Sequence, residues 1–142
     1  QNAADGRHGT FFQMLPTPRP YARFPFFDSI NNDDLSATLV LRPHKQWTVR
    51  SEAHGLRLAS GSDLWYLGGG AFQPWTFGYT GRATNGNRGL ATLYDVSVDY
   101  AVNAKVSLTG YFGHAVGHSA MRAIYPKGKD GNFAYLELMY KF

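Results

Sequence analysis

The last ten residues of the chain alternate strictly between two kinds of side chain. In an extended strand, one side would carry Ala134, Leu136, Leu138, Tyr140 and Phe142. The other side would carry both charged residues, Glu137 and Lys141, because side chains of a β-strand alternate with period two. This pattern is typical of a strand with lipid on one side and water on the other, with its aromatic residues at the membrane interface. A strand of a soluble β-sandwich alternates in the same way, so this strand alone does not distinguish a membrane β-barrel from a soluble β-domain.

Composition narrows the fold class. No run of about eighteen apolar residues occurs, which excludes a membrane-spanning helix, whereas strands of a membrane β-barrel are not excluded. Aromatic residues make up 15% of the chain and there are sixteen glycines, which favours interfacial aromatic belts and turns over a helical core. The absence of cysteine excludes a disulfide scaffold and a thiolate metal site. The net charge of +4 permits an anionic partner without requiring one.

Residues 1–33 show no regular periodicity. Prolines recur along Leu15–Pro20 and cannot donate regularly to a sheet ladder, and Asp28–Asp34 has turn composition. We therefore predict an irregular extracellular loop segment over 1–33. Its aromatic side chains are expected to pack on the rest of the protein rather than to form a disordered tail. These side chains are Phe11, Phe12, Tyr21, Phe24, Phe26 and Phe27.

Residues 34–142 are predicted to form five antiparallel strands. The alternation of the second strand shifts near Leu56–Leu58, which indicates either a bulge or a strand that has left the membrane. The strands are expected at about 35–42, 47–55, 90–102, 105–112 and 133–142. Short turns at Pro43–Gln46 and Val102–Ala104 alternate with long connections over 59–89 and 117–132. Strict alternation of short and long connections is the layout of an outer-membrane β-barrel, with short periplasmic turns and long outer loops.

The aromatic residues fit this layout. Trp47, Tyr100, Tyr140 and Phe142 are expected on the apolar face at the rim that holds both short turns, where an interfacial belt belongs. Five strands cannot close a barrel, since small barrels begin at about eight strands. The chain also begins without Met or a signal peptide. We therefore expect the C-terminal portion of a larger antiparallel transmembrane β-barrel, or an oligomer whose copies each contribute strands.

Short motifs along the chain resemble the C-terminal third of the alginate-export family of outer-membrane proteins. In order, these are Phe12–Thr17, Asn31–Leu35, Leu41–Lys45, Trp47–Arg50, Leu56–Ser60, Asp63–Gly69 and Tyr135–Phe142. Their order and spacing, from about Thr10 onward, carry the resemblance more than any one of them. One departure is Pro18–Pro20, where the family often has a Gly-His pair.

The resemblance implies an eighteen-stranded barrel, an even strand number of the kind that bacterial barrels use. It also implies passive export of an alginate-like anionic polysaccharide across the outer membrane of a bacterial cell. The expected partners are then the lipid bilayer, the polysaccharide, and the remaining strands of the same barrel or other copies. Two alternatives stay open, a porin-like channel for small polar solutes and a soluble carbohydrate-binding β-domain.

The polar face supplies the candidate pore-lining residues. They are Arg42, Arg50, Glu52, His54, Asp95, Asp99, Lys105, Glu137 and Lys141. Their four cations and four carboxylates cancel, so this part of the chain does not by itself predict the cationic wall that a polyanion conduit needs. A cross-strand ladder of ion pairs that keeps the wall rigid and hydrated explains the same charges. Candidates for sugar contacts in the outer loops are Trp65, Tyr66, Arg82, Arg88 and Arg122.

Other chemistries find little support. His114 and His118 flank a strand end without a third ligand, so no metal site is predicted. No serine or cysteine nucleophile stands beside Glu52 and His54, and Asp95 and Asp99 are about 13 Å apart on a strand, too far for a glycosidase pair. We therefore expect no enzyme activity and no cofactor. A nucleic-acid partner would require a denser basic stripe.

Overall fold

The structure is a computed structural model, and it describes residues 23–24, 29–67 and 80–142. In these ranges the chain is all-β apart from one six-residue helix. The elements are β1 (Asn32–His44), β2 (Trp47–Leu58), β3 (Trp65–Leu67), β4 (Thr80–Arg82), β5 (Gly89–Ala101), β6 (Val106–Gly117), α1 (Ser119–Ile124) and β7 (Gly131–Tyr140). No helix in the described ranges is long and apolar enough to cross a bilayer.

The five long strands form one antiparallel sheet in the order β1-β2-β5-β6-β7. Its neighbours follow one another along the chain once β3 and β4 are set aside, which is an up-and-down meander. The turns after β1 and β5 lie at one end of the sheet, and the long connections lie at the other. The five predicted strands and their antiparallel order are thus confirmed. Among the described residues, β1 and β7 each pair with a single neighbour.

The two long connections contain more structure than predicted. Within the first, β3 and β4 pair as a separate two-stranded sheet, with Tyr66 opposite Gly81. The second contains α1, whose N-cap His118 makes no side-chain capping bond and whose first turn has no acidic residue. These sequence signals of a helix start are missing, so the pattern alone gave no reason to expect it. Of the two explanations for the shift in alternation near Leu56–Leu58, the bulge agrees with a register shift at Leu56–Arg57 in the pairing of β2 with β5.

The two faces of the five-stranded sheet differ sharply in polarity. Large apolar side chains stand exposed on one face, among them Leu35 (83%), Leu136 (80%) and Leu138 (66%). At the end of this face near the short turns, the Trp47 and Tyr100 rings stack with centroids 4.5 Å apart. This exposure confirms the predicted division of the strands into an apolar and a polar side, whereas contact of the apolar side with lipid stays a prediction. We call this surface the apolar face and the opposite one the polar face.

At the end nearest the long connections, the polar face carries apolar side chains instead of polar ones. Toward the long connections it carries a buried cluster that includes Leu56, Leu58 and Leu93, covered in part by Met121 of α1. Phe24 joins this cluster and meets Phe133 edge to face at 6.0 Å. Of the aromatic residues expected to pack from the N-terminal segment, Phe24 does so. Phe11, Phe12, Tyr21, Phe26 and Phe27 lie outside the described residues.

Candidate pore-lining face

Six of the predicted pore-lining residues lie on strands of the polar face. Glu52 stands directly opposite Asp95, and one row nearer the short turns Arg50 stands opposite Ser97. The row at the rim contains Asp99, opposite Thr109, and then Glu137. His54 occupies the next row in the other direction, and its side chain is buried. The antiparallel register therefore gathers residues that are far apart in sequence into one surface.

The other three predicted residues lie at the rim. Arg42 is exposed near the end of β1, where the pairing with β2 shifts register between Leu41 and His44. Lys105 belongs to the turn after β5, and Lys141 follows the last residue of β7. The backbone N–H of Lys141 donates to the Lys105 carbonyl at 2.9 Å. Both lysines therefore lie just outside the ends of β6 and β7, at the rim of the sheet, and their pore-lining role stays a prediction.

A ladder of side-chain hydrogen bonds crosses the polar face. Its bonds are His54 Nδ1 to Asp34 Oδ2 (2.8 Å), Thr38 Oγ1 to Glu52 Oε1 (3.0 Å), Tyr111 Oη to Asp95 Oδ2 (2.9 Å) and Thr109 Oγ1 to Asp99 Oδ1 (2.7 Å). The ladder is mostly hydroxyl to carboxylate, so few of its members are the cation–carboxylate pairs that the sequence suggested. Each bond joins neighbouring strands and stabilises their register.

A recess of about 440 Å³ lies on the polar face near the short turns. Its lining combines both charge signs with an aromatic ring, from Arg23, Lys45, Asp99, Tyr135 and Glu137. The Arg23 guanidinium lies 3.9 Å from the Asp99 carboxylate. A surface of this kind offers hydrogen-bonding and stacking groups to a polar solute.

Two of the five loop candidates are buried. Trp65 and Tyr66 are each only 5% exposed. The Trp65 ring packs in the core cluster and meets Tyr125 edge to face, while the Tyr66 hydroxyl donates to Asp63 Oδ1 at 3.0 Å. A role for these two rings in stacking sugars at the loop surface is therefore contradicted, because a hydrophobic interior takes up both of them.

The three basic loop candidates remain at the surface. Arg82 and Arg122 are exposed. Arg88 is half-exposed and donates through Nε to the Leu58 carbonyl and through Nη2 to the Ala59 carbonyl, both at 2.8 Å. Arg88 therefore fixes the end of β2, and within the described residues no comparable bond is seen for Arg82 or Arg122.

Three residues of the polar face were not among the predicted pore-lining residues. The turn composition of Asp28–Asp34 predicts a first strand from about Leu35, but β1 begins at Asn32 and places the Asp34 carboxylate beside His54. Tyr111 and Tyr135 stack with ring centroids 5.0 Å apart beside Asp95. The period-two pattern puts Tyr111 on the polar face, so its position could have been found from sequence, whereas its hydrogen bond depends on the register.

Beyond the long strands, Asp130 closes the connection that holds α1. Its Oδ1 accepts from Lys129 Nζ at 2.7 Å and from the Gly117 backbone N–H at 2.9 Å. The hydrogen bond from Lys129, followed by that from Gly117, lowers the pKa of the Asp130 carboxyl below its ordinary value of 3.8.

Comparison of the chain with protein-family models, with curated proteins and with solved structures finds no match.

Proposed function

We propose that this chain forms the C-terminal strands of a β-barrel channel in the bacterial outer membrane. The exposed apolar face carries the proposal. A water-exposed sheet with side chains such as Leu35, Leu136 and Leu138 open to solvent would be prone to association, whereas lipid accommodates them. The stacked Trp47 and Tyr100 lie at one end of that face, where the interfacial belt of a barrel is found.

The edges of the sheet support membership of a larger barrel. In the described ranges, β1 and β7 pair on one side only, and β1 is thirteen residues long. Long unpaired edges expose backbone donors and acceptors, which cannot be left without partners in hydrocarbon. Further strands of the same protein, or strands of other copies, would complete these ladders.

The transported solute is proposed by resemblance to the alginate-export family. An alginate-like anionic polysaccharide would pass outward through the pore without an energy source in this chain. Arg42, Arg50, Lys105 and Lys141 would meet its carboxylates, and the half-buried Tyr135, which lines the rim recess, would meet its sugar rings.

A porin-like channel for small polar solutes is the second candidate. The mixture of charges around the rim recess favours it, because Arg23 and Lys45 lie beside Asp99 and Glu137. Such a wall hydrates the pore without selecting strongly for either sign. The soluble carbohydrate-binding domain is the third candidate, and the exposed apolar face counts against it.

Single-channel recording tests the proposal. The protein is expressed from its complete gene, refolded and inserted into a planar bilayer, and conductance is measured with alginate oligomers and with neutral glycan oligomers of equal length. Block by the polyanion alone is the result expected for the exporter. Equal conductance with both would leave the general porin, and a folded product that stays in water without forming pores would contradict the channel.

A further inference from the structure

We propose that Glu52, His54 and Asp95 form a binding site for a divalent transition-metal ion on the polar face. One ligand atom from each of the three side chains lies within 4.8 Å of the other two. An imidazole with two carboxylates is a donor set that Zn²⁺ takes, and Mn²⁺ accepts the same groups. Glu52 and His54 come from one strand and Asp95 from the next, so the rigid register of β2 and β5 positions them.

The imidazole of His54 is prepared for a ligand. Its Nδ1 lies 2.8 Å from Asp34 Oδ2, so Nδ1 carries a proton and donates it to the carboxylate. Its Nε2 is buried and has no hydrogen-bond partner among the described residues, in a side chain only 8% exposed. A buried ring nitrogen without a partner is costly, and a carboxylate on the other ring nitrogen is the arrangement that orients metal-binding histidines.

Both carboxylates are oriented by hydroxyl groups. Thr38 Oγ1 donates to Glu52 Oε1 at 3.0 Å, and Tyr111 Oη donates to Asp95 Oδ2 at 2.9 Å. Each carboxylate therefore keeps its second oxygen for another contact. Hydrogen bonds of this kind fix ligand carboxylates in metal sites.

The charge of the cluster also calls for a cation. Glu52 and Asp95 stand directly opposite each other across the strand pair, where like charges destabilise a sheet. Zinc ligands at about 2.1 Å from the ion are about 3.4 Å apart in a tetrahedron, so donor atoms within 4.8 Å of one another need to move closer by about 1.4 Å at most. Side-chain rotation of the half-buried Glu52 provides this movement, and its partial exposure gives the ion a path from the pore side.

A bound ion changes the electrostatics of the wall. Three protein ligands leave a coordination position for water or an anionic group. Two positive charges added beside Arg50 and His54 would turn a neutral wall into one that favours polyanions. This consequence rests on the proposed channel function, whereas the metal site itself does not.

Metal titration of the refolded full-length protein tests the site. Zn²⁺ binding is followed by calorimetry, and Co²⁺ serves as an absorbing probe whose ligand-field bands report the donor set. The expected result is a chelator-sensitive site that loses at least tenfold in affinity in His54→Gln, in Glu52→Gln and in Asp95→Asn. The matched controls are Asp99→Asn and Glu137→Gln, which remove carboxylates from the same face outside the cluster and should leave the affinity unchanged.

The metal titration can support or overturn the proposed site. Since Glu52→Gln keeps the acceptor oxygen for Thr38, its far-ultraviolet circular dichroism and melting should stay close to the parent protein, which separates lost binding from lost folding. Absence of Zn²⁺ and Co²⁺ binding at micromolar concentrations would overturn the proposal. Binding that survives His54→Gln but is lost in a variant lacking His114 and His118 would overturn it equally. Metal binding without channel activity would uphold the site and contradict only the channel.

Discussion

The indole ring of Trp47 stacks on the phenol ring of Tyr100 across two neighbouring strands, with centroids 4.5 Å apart and planes inclined by 29°. The two residues are paired in the β2–β5 register, so the stack is built into the sheet at the end that holds the short turns. The pair therefore stabilises the contact between β2 and β5 and lies at the proposed membrane interface.

Removing the ring of Trp47 or of Tyr100 should lower the free energy of unfolding. We expect Trp47→Ala and Tyr100→Ala to be non-additive, with a coupling of about 0.5–1.5 kcal/mol, because the second substitution removes a contact already lost. Urea unfolding of the single and double variants in lipid vesicles measures this coupling. Trp47→Phe is the control that keeps a ring. Strict additivity would contradict the stack.

Arginine placed on the apolar face should obstruct assembly according to its depth. Leu136 lies about 13 Å along β7 from Tyr140, and Leu138 about 7 Å. Leu136→Arg should therefore cost about 2–4 kcal/mol of folding free energy, and Leu138→Arg less, since the penalty falls toward the interface. Glu137→Arg puts the same side chain on the polar face and should assemble normally. Equal tolerance of all three in vesicle-refolding assays would contradict the face assignment.

Gly117 permits a close approach that no other residue type allows. A Cβ at this position would overlap with the Lys129 carbonyl oxygen and lie 2.8 Å from Met121 Cβ. Gly117→Ala should therefore destabilise the protein by about 1–3 kcal/mol, as overpacking does. Gly110→Ala is the matched control on the same strand, where a Cβ meets nothing within 4 Å. Thermal melting of both variants checks the prediction, and equal melting temperatures would contradict the packing around α1.

The hydrogen bonds that Asp130 accepts from Lys129 and Gly117 should weaken at acidic pH. Because the folded-state pKa of Asp130 is lowered, the stability that its carboxylate contributes is present above the ordinary value of 3.8 and is lost as pH falls through the folded-state value. As pH falls through that value, the hydrogen-exchange rate of the Gly117 amide, divided by its intrinsic rate at the same pH, should therefore increase. Asp130→Asn should show faster exchange at neutral pH and no further acid step. An acid step of equal size in that variant would assign the effect to another group.

Trp65 should behave as a core residue rather than as a sugar-binding one. Trp65→Ala should cost about 3–5 kcal/mol, whereas Trp65→Phe keeps most of the packing against Tyr125. Glycan affinity of the folded Trp65→Phe variant should match that of the parent protein. A loss of affinity with unchanged stability would restore the ring to the binding surface.

The two-residue repeat of apolar and polar side chains predicted those features of the fold that depend only on neighbouring residues along the chain. The strands, their order and the exposure of Leu35 and Leu136 follow from a two-residue repeat that is read directly along the chain. The contact between Asp34 and His54 does not, because it depends on the register of β1 against β2 across twenty residues. Burial of Trp65 was missed for a related reason, since the glycine-rich sequence around it is typical of loops while its partners are distant in sequence.

The measurement that tests the membrane orientation most directly is site-directed spin labelling along β7. None of these 142 residues is a cysteine, so within this part of the protein a single cysteine can be introduced and labelled in turn at Tyr135, Leu136, Glu137 and Leu138, with the complete protein refolded in vesicles. Labels at Leu136 and Leu138 should be accessible to oxygen, which concentrates in lipid, and those at Tyr135 and Glu137 to a water-soluble nickel chelate. Alternation in this phase is the predicted result. High nickel accessibility at Leu136 and Leu138 would show that water meets the apolar face, and would contradict the barrel.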